Sequence, residues 1–220
     1  MNFNGNYKRR QNCPEFAQIA LMALKMILVN FNTENNLIYS ELSMELQKIA
    51  FLETYNLADN GGVMGAILVT DADTKPLEFR VTAPIKPTSF QKTLYGDVLH
   101  EHILVELISV PLLSAINEQV DLILVKDQFF LGANSKQGVR VLRIFHEAEG
   151  KARKSSKSEE LSFSVNGNGK TLVETSKKFE AELPVIKEEL NKLSEGRNLL
   201  EPFERLKLAC EQVNQQKSTD

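Results

Sequence analysis

Four carboxylates stand where divalent-metal chemistry could use them. Asp71 and Asp73 follow the apolar run MGAILVT, Glu106 lies in a helical stretch, and Asp127 follows VDLILVK. Two-metal phosphodiester hydrolysis needs such groups, because carboxylate oxygens hold ions about 4 Å apart that clamp the attacking and leaving oxygens. Each residue also has a plainer use. Asp71 and Asp73 belong to the turn DADTK, where aspartate bonds its own backbone, and Glu106 sits between Val105 and Leu107 without a second acid beside it. His100 and His102 are two apart on a predicted helix. They point about 200° apart and cannot share an ion from that helix. No nucleophile stands where a histidine base would activate it. The phrase GGVMG at Gly61–Gly65 precedes a strand, whereas phosphate loops follow one and open a helix. NGNGK at Asn166–Lys170 lacks the spacing of a phosphate loop. On these grounds neither a metal nor a cofactor is expected.

The order of the acidic residues nevertheless resembles ribonuclease-H-like enzymes, which carry them on a first strand, a following helix and a later strand. That resemblance implies a divalent-metal-dependent nuclease or phosphodiesterase using Asp71, Asp73, Glu106 and Asp127. The hairpin-helix-hairpin order is also similar to small adaptor modules of the roadblock or profilin-like class. Order alone does not fix function.

A second constellation could bind rather than catalyse. Arg80, Lys86, Thr88 and Tyr95 lie where a strand hands over to a helix, and Pro84 and Pro87 stiffen the connection. Rigid loops with cationic and hydroxyl groups beside a helix start suit an anion or an acidic protein surface. The basic run Lys151, Arg153, Lys154 and Lys157 has no interleaved aromatics and is flanked by glutamates, so it reads as solvated.

These residues need elements to hold them. Pro14 and Glu15 suit the first turn of a helix through Val29 that is apolar almost all round, and Leu42, Leu46, Ile49 and Leu52 predict a second helix over 40–57. Met64–Thr70 reads as a central strand, and Leu77, Phe79 and Val81 alternate with polar residues in its hairpin partner. A helix capped by Thr88 or Ser89 follows, irregular near Gly96 and broken or kinked at Pro111. Val120–Lys126 and Gly138–Ile144 are the later strands. Residues 150–160 read as a charged linker, and 161–220 as a helical extension with helices over 171–194 and 199–213. The expected fold is therefore α+β: a mainly antiparallel sheet of four or five strands in residues 63–145, packed by N- and C-terminal helices, with 1–149 as the core domain including a helical part at 14–58.

The 220 residues carry a net charge of -3, and the isoelectric point near 5.8 and mean hydropathy of -0.23 suit a soluble domain. No global field favours nucleic acid or anionic membrane. The apolar run Phe16–Val29 is interrupted by Gln18 and Lys25 and lacks a cleavage site, so it reads as a core helix rather than a secretory signal. Cys13 and Cys210 make no disulfide framework. The reading from sequence is a cytoplasmic, non-enzymatic interaction subunit with a protein partner or a second copy of itself. It has no membrane role, nucleic acid is disfavoured, and its contacts are at Arg80, Lys86, Thr88 and Tyr95.

Overall fold

The computed structural model describes residues 45–57, 62–136, 138–150, 157–163 and 170–217. The predicted helix at 14–29, Cys13 and most of the basic run at 151–157 lie outside the described residues.

The centre of the molecule is the segment KIAFLETYN. It forms strand β1 (Lys48–Asn56), with Ala50, Phe51 and Leu52 fully buried. β2 (Val63–Asp71) and β3 (Pro76–Val81) follow as an antiparallel meander. β4 (Leu122–Val125) pairs with β1 in parallel, and β5 (Arg140–His146) pairs in parallel with β4. β6 (Ser158–Glu160) and β7 (Thr171–Thr175) close the far edge, antiparallel to each other and β7 to β5. The order is β3-β2-β1-β4-β5-β7-β6.

This seven-stranded mixed sheet corrects the expected mainly antiparallel sheet of four or five strands. Two misreadings account for the difference. The apolar residues of 42–52 fit a helical period, but a strand buried on both faces reads as a continuous apolar run that periodicity cannot separate from a buried helix. Thr171–Thr175, assigned to a helix, alternates side chains between faces as β7. Pro184 then opens α2 (Leu183–Gly196) at its first turn instead of interrupting it. α3 (Glu201–Lys217) follows.

Helices cover both faces. On one, Ile49, Phe51, Leu122, Leu124, Leu142, Ile144 and Val173 pack against Leu183, Ile186, Leu190 and Phe203 of α2 and α3. On the other, Ala50, Leu52, Ile67, Val69, Ile123, Val125 and Val141 meet Ile103, Leu104, Ile108 and Leu112 of α1 (Ser89–Ala115). Alternation along β1 sends odd residues to the α3 side and even residues to the α1 side.

Thr88 caps α1 through a capping box with Gln91. Gly96 has φ 49° and opens a 3-10 turn, and residues Ile103–Ser109 form a π-helical segment just before Pro111. Proline cannot donate to the preceding turn. Ser109 Oγ donates to the Leu104 carbonyl at 2.7 Å, which gives this buried hydroxyl a partner within the π-helical turn. The helix runs so close to β2 that a Cβ on Gly65 would stand 2.1 Å from Ile108 Cγ2. By length and composition α1 is apolar enough to cross a membrane, with 33% of its most apolar window buried inside the protein.

Candidate nucleic-acid interface

The parallel strands decide where a ligand site can lie. In open sheets with parallel strands, ligands settle outside the carboxyl ends of those strands. Here that rim begins after Leu52 of β1 and Val125 of β4, which are register partners. The next residues, Glu53 and Lys126, leave the pair on the α3 side, in line with Phe51 and Leu124. Together with Thr54, Tyr55, Asn56, Phe203, Glu204 and Lys207 they line a groove of about 330 Å³.

Lys126 is central to it. Its Nζ lies 3.8 Å from Glu204 Oε1 and 5.0 Å from the Phe203 ring centre. The ring is itself fixed edge-on against Phe51 at 5.3 Å. Burial raises the Glu53 carboxyl above its usual 4.5; Asp127 adds to this, while the Thr54 N–H and the Lys126 ammonium oppose it. Thr54 N donates to Glu53 Oε1 at 2.9 Å.

The chain behind Lys126 is clamped from the neighbouring strands. Arg143 donates from Nε to the Lys126 carbonyl at 2.9 Å and from Nη1 to Glu174 Oε1 at 2.9 Å. Glu174 is wholly buried, and the guanidinium lies 4.1 Å from the Phe145 ring centre. This pair fixes the carboxyl end of β4 without reaching the groove. Asp127 Oδ1 accepts from Phe129 N at 2.8 Å, capping the 3-10 segment Gln128–Ser135, and Oδ2 lies 3.1 Å from His100 Nε2.

A second cleft, of about 860 Å³, shares Asn56 with the groove and is lined also by Gly62, Val63, Lys86, Thr88, Ser89 and Lys92. Lys86 and Tyr95 border a further hollow of about 150 Å³ with His102, and Tyr95 stacks on His102 at 4.6 Å. Arg80 is elsewhere. It pairs with Glu78 at 2.6 Å and donates from Nε to the Ala115 carbonyl at 3.3 Å, tying β3 to the end of α1. The structure thus brings Lys86, Thr88 and Tyr95 along one run of hollows and leaves Arg80 apart.

The four carboxylates that a metal-dependent nuclease reading would need together do not converge. Asp71 pairs in register with Lys48 at the start of β1, whereas Asp127 lies beyond the end of β4, which runs parallel to β1. They stand at opposite ends of the sheet. Asp71 Oδ1 accepts from Asp73 N and Lys75 N as a turn cap, Asp73 pairs with Arg197, and Glu106 pairs with Lys136. Among the described residues, no group of three His, Cys, Asp or Glu side chains is placed to hold a metal ion. In the groove itself the Lys126 ammonium stands beside the carboxylates, 3.8 Å from Glu204.

Sequence reasoning passed over Glu53, Lys126, Glu204 and Lys207. A signal for the first two was present: each is the first charged residue after a fully apolar run, IAFL or LILV. In a central strand, that residue marks the rim.

Neither the family models nor the curated proteins give a sequence match. Solved structures do resemble the fold. Endonuclease V from Streptomyces avermitilis superposes with a TM-score of 0.51 at 10% identity, over 84% of this chain and 94% of that one. Endonuclease V from Bacillus subtilis gives 0.46 at 11% identity, over 68% and 73%. The Ciona intestinalis enzyme, solved with a 24mer DNA containing an inosine followed by a ribo-adenosine, gives 0.36 at 7% identity, over 71% and 87%. The likeness is one of fold. The fold is like that of the Streptomyces avermitilis endonuclease V, and this corrects two expectations. A non-enzymatic interaction subunit of a protein complex is not what the fold resembles, and the exclusion of nucleic acid rested on a net charge that says nothing about one rim of the sheet.

Proposed function

We propose that this chain is a nucleic-acid-processing protein of the nuclease-fold class. It grips a phosphodiester strand along the rim from the Lys126 groove, past Asn56, to the cleft of Lys86, Thr88 and Lys92. The observation that supports the reading most is the coincidence of two facts. The sheet superposes on an endonuclease V over most of both chains, and the carboxyl ends of its parallel strands carry a groove with two lysines, two glutamates, an asparagine and the partly exposed ring of Tyr55. Lysines along a strand path neutralise phosphates, and the Tyr55 ring beside them offers a stacking surface. Tyr95 extends this path on the α1 side. Arg80, held by Glu78, serves the fold. A cytoplasmic location accords with such work.

Strand cleavage is the second reading, favoured by one observation: Glu53, a carboxyl whose hold on a proton is strengthened by burial, lies in the same groove. His100, held by Asp127, stands nearby on the other side of the rim.

The test is fluorescence anisotropy of the full chain with labelled single-stranded DNA, single-stranded RNA and duplex DNA, followed by gel analysis of the same mixtures. Binding should weaken with salt at a slope of about -0.7 per neutralised phosphate on a single strand. The triple variant Lys86→Ala, Lys92→Ala, Lys207→Ala should lose about tenfold or more in affinity with an unchanged circular dichroism spectrum. Absence of binding to all three nucleic acids at low salt would refute the proposal.

A further inference from the structure

The groove sets an ammonium beside its two carboxylates. Glu53 from β1 and Glu204 from α3 approach it from two elements, which is how carboxylates are arranged to share an ion. What stands with them is Lys126, 3.8 Å from Glu204 and close enough to Glu53 to oppose its protonation. The lysine is not a loose surface group. Its backbone carbonyl is held by Arg143, its ammonium lies over Phe203, and its side chain is 41% exposed, open to a ligand from the groove side. An ammonium supplies a positive charge and three donors. It polarises no water as a divalent ion does.

We propose that Lys126 takes the place of a divalent ion in this groove, so that the chain binds no metal there and holds a nucleic-acid phosphate through ammonium groups, with Glu53 and Glu204 keeping Lys126 in position. The phosphate half of this inference rests on the function proposed above; the metal half does not. Lys207, on the same wall of α3 as Glu204, supplies a second ammonium for the phosphate.

The two halves are read separately. In the first experiment, metal-free full-length protein is titrated with Mn²⁺ by calorimetry. Wild type should show no saturable site up to about 1 mM. Lys126→Asp, which adds a third carboxylate to the groove of Glu53 and Glu204, should gain one, and adding Glu53→Gln should abolish the gain. A wild-type Mn²⁺ site that Glu53→Gln removes would overturn the inference, as would a folded Lys126→Asp variant that gains nothing. Should Lys126→Asp fail to fold, wild type against Glu53→Gln still decides. In the second experiment, anisotropy with a labelled single strand should be the same in EDTA and in Mg²⁺, and Lys126→Met should weaken it about tenfold. Affinity that vanishes in EDTA would overturn the proposal. If no strand binds in any buffer while the Mn²⁺ results stand, the functional reading fails and the metal half survives.

Discussion

The two ends of the sheet are both rich in charge, and they use it in opposite ways. At the amino end of β1 and β4, carboxylates are taken up by backbone N–H groups. Asp71 accepts two N–H groups of its own turn, and Asp121 Oδ2 accepts from Gln47 N and Lys48 N at 2.9 Å each. Asp73 lies in solvent, 79% exposed, and meets Arg197. At the carboxyl end, Glu53 takes a single backbone N–H at 2.9 Å and stays half-buried beside a cation, with Asp127 and a second lysine close by. A carboxylate whose lone pairs are spent on a turn stabilises that turn. One held at a buried strand end with a cation beside it remains available to a ligand. Counting acids along the chain does not distinguish the two cases; their backbone surroundings do.

The sharpest way to break the contrast is at the pair that supports the carboxyl end from behind. Arg143→Ala would take from Glu174, which is wholly buried, the guanidinium it pairs with. Unpaired buried charges cost about 3–5 kcal/mol, so urea unfolding should show a loss of that order. Because Arg143 also holds the Lys126 carbonyl, strand affinity should fall at temperatures where the variant is still folded. Replacing the pair together, Arg143→Met with Glu174→Leu, should recover most of the stability and little of the affinity. Recovery of both would make the clamp on Lys126 irrelevant.

How much of this was legible beforehand follows the same division. The hairpin β2–β3, the cap at Thr88, the disturbances at Gly96 and before Pro111, and strands β4 and β5 could be read locally, because turn chemistry and alternation are local. The central strand could not. Ile49 and Leu52 suit a helix and a doubly buried strand equally, and only pairing with β2 and β4 selects the strand. Placing the first strand at Met64 instead of Lys48 then carried the search for acids to Asp71 and Asp73, at the wrong end of the sheet. β7 was lost for a related reason, since Thr171–Thr175 becomes a strand through pairing with β5, about 25 residues away, a cost in loop closure that no short window registers. Lys126, read as the end of a strand, acquired meaning only when α3 brought Glu204 to it.

A smaller effect should appear with pH. Burial raises the Glu53 carboxyl above 4.5, so the folded protein holds this proton more tightly than the unfolded chain does. The stability this gives is fully present below the unfolded value and is lost as pH rises through the folded one. Glu53→Gln removes the charged form that burial penalises. Its melting temperature should therefore gain on wild type as pH rises from 4.5, and the gain should level off above the folded value. Strand affinity or cleavage should change in the same variant, which separates a ligand-facing carboxylate from a structural one. A melting temperature that drops at pH 7.5 would show that Glu53 is stabilised by Lys126 more than it is penalised by burial.

The smallest effect is expected at the opposite end. Arg197 and Asp73 meet at 3.2 Å, but the two side chains are 50% and 79% exposed. Exposed pairs contribute about 0–1 kcal/mol, since water screens them and two flexible side chains must be ordered to form them. Asp73→Ala should therefore shift the urea midpoint hardly at all, and the small shift should disappear at 1 M salt, where screening is complete within about 3 Å. It should leave Mn²⁺ titration, strand affinity and any cleavage unchanged, because the turn lies at the far end of β1 from the Lys126 groove. A variant at Asp73 that abolished cleavage would place the chemistry at the amino end after all and reverse the comparison between the two rims.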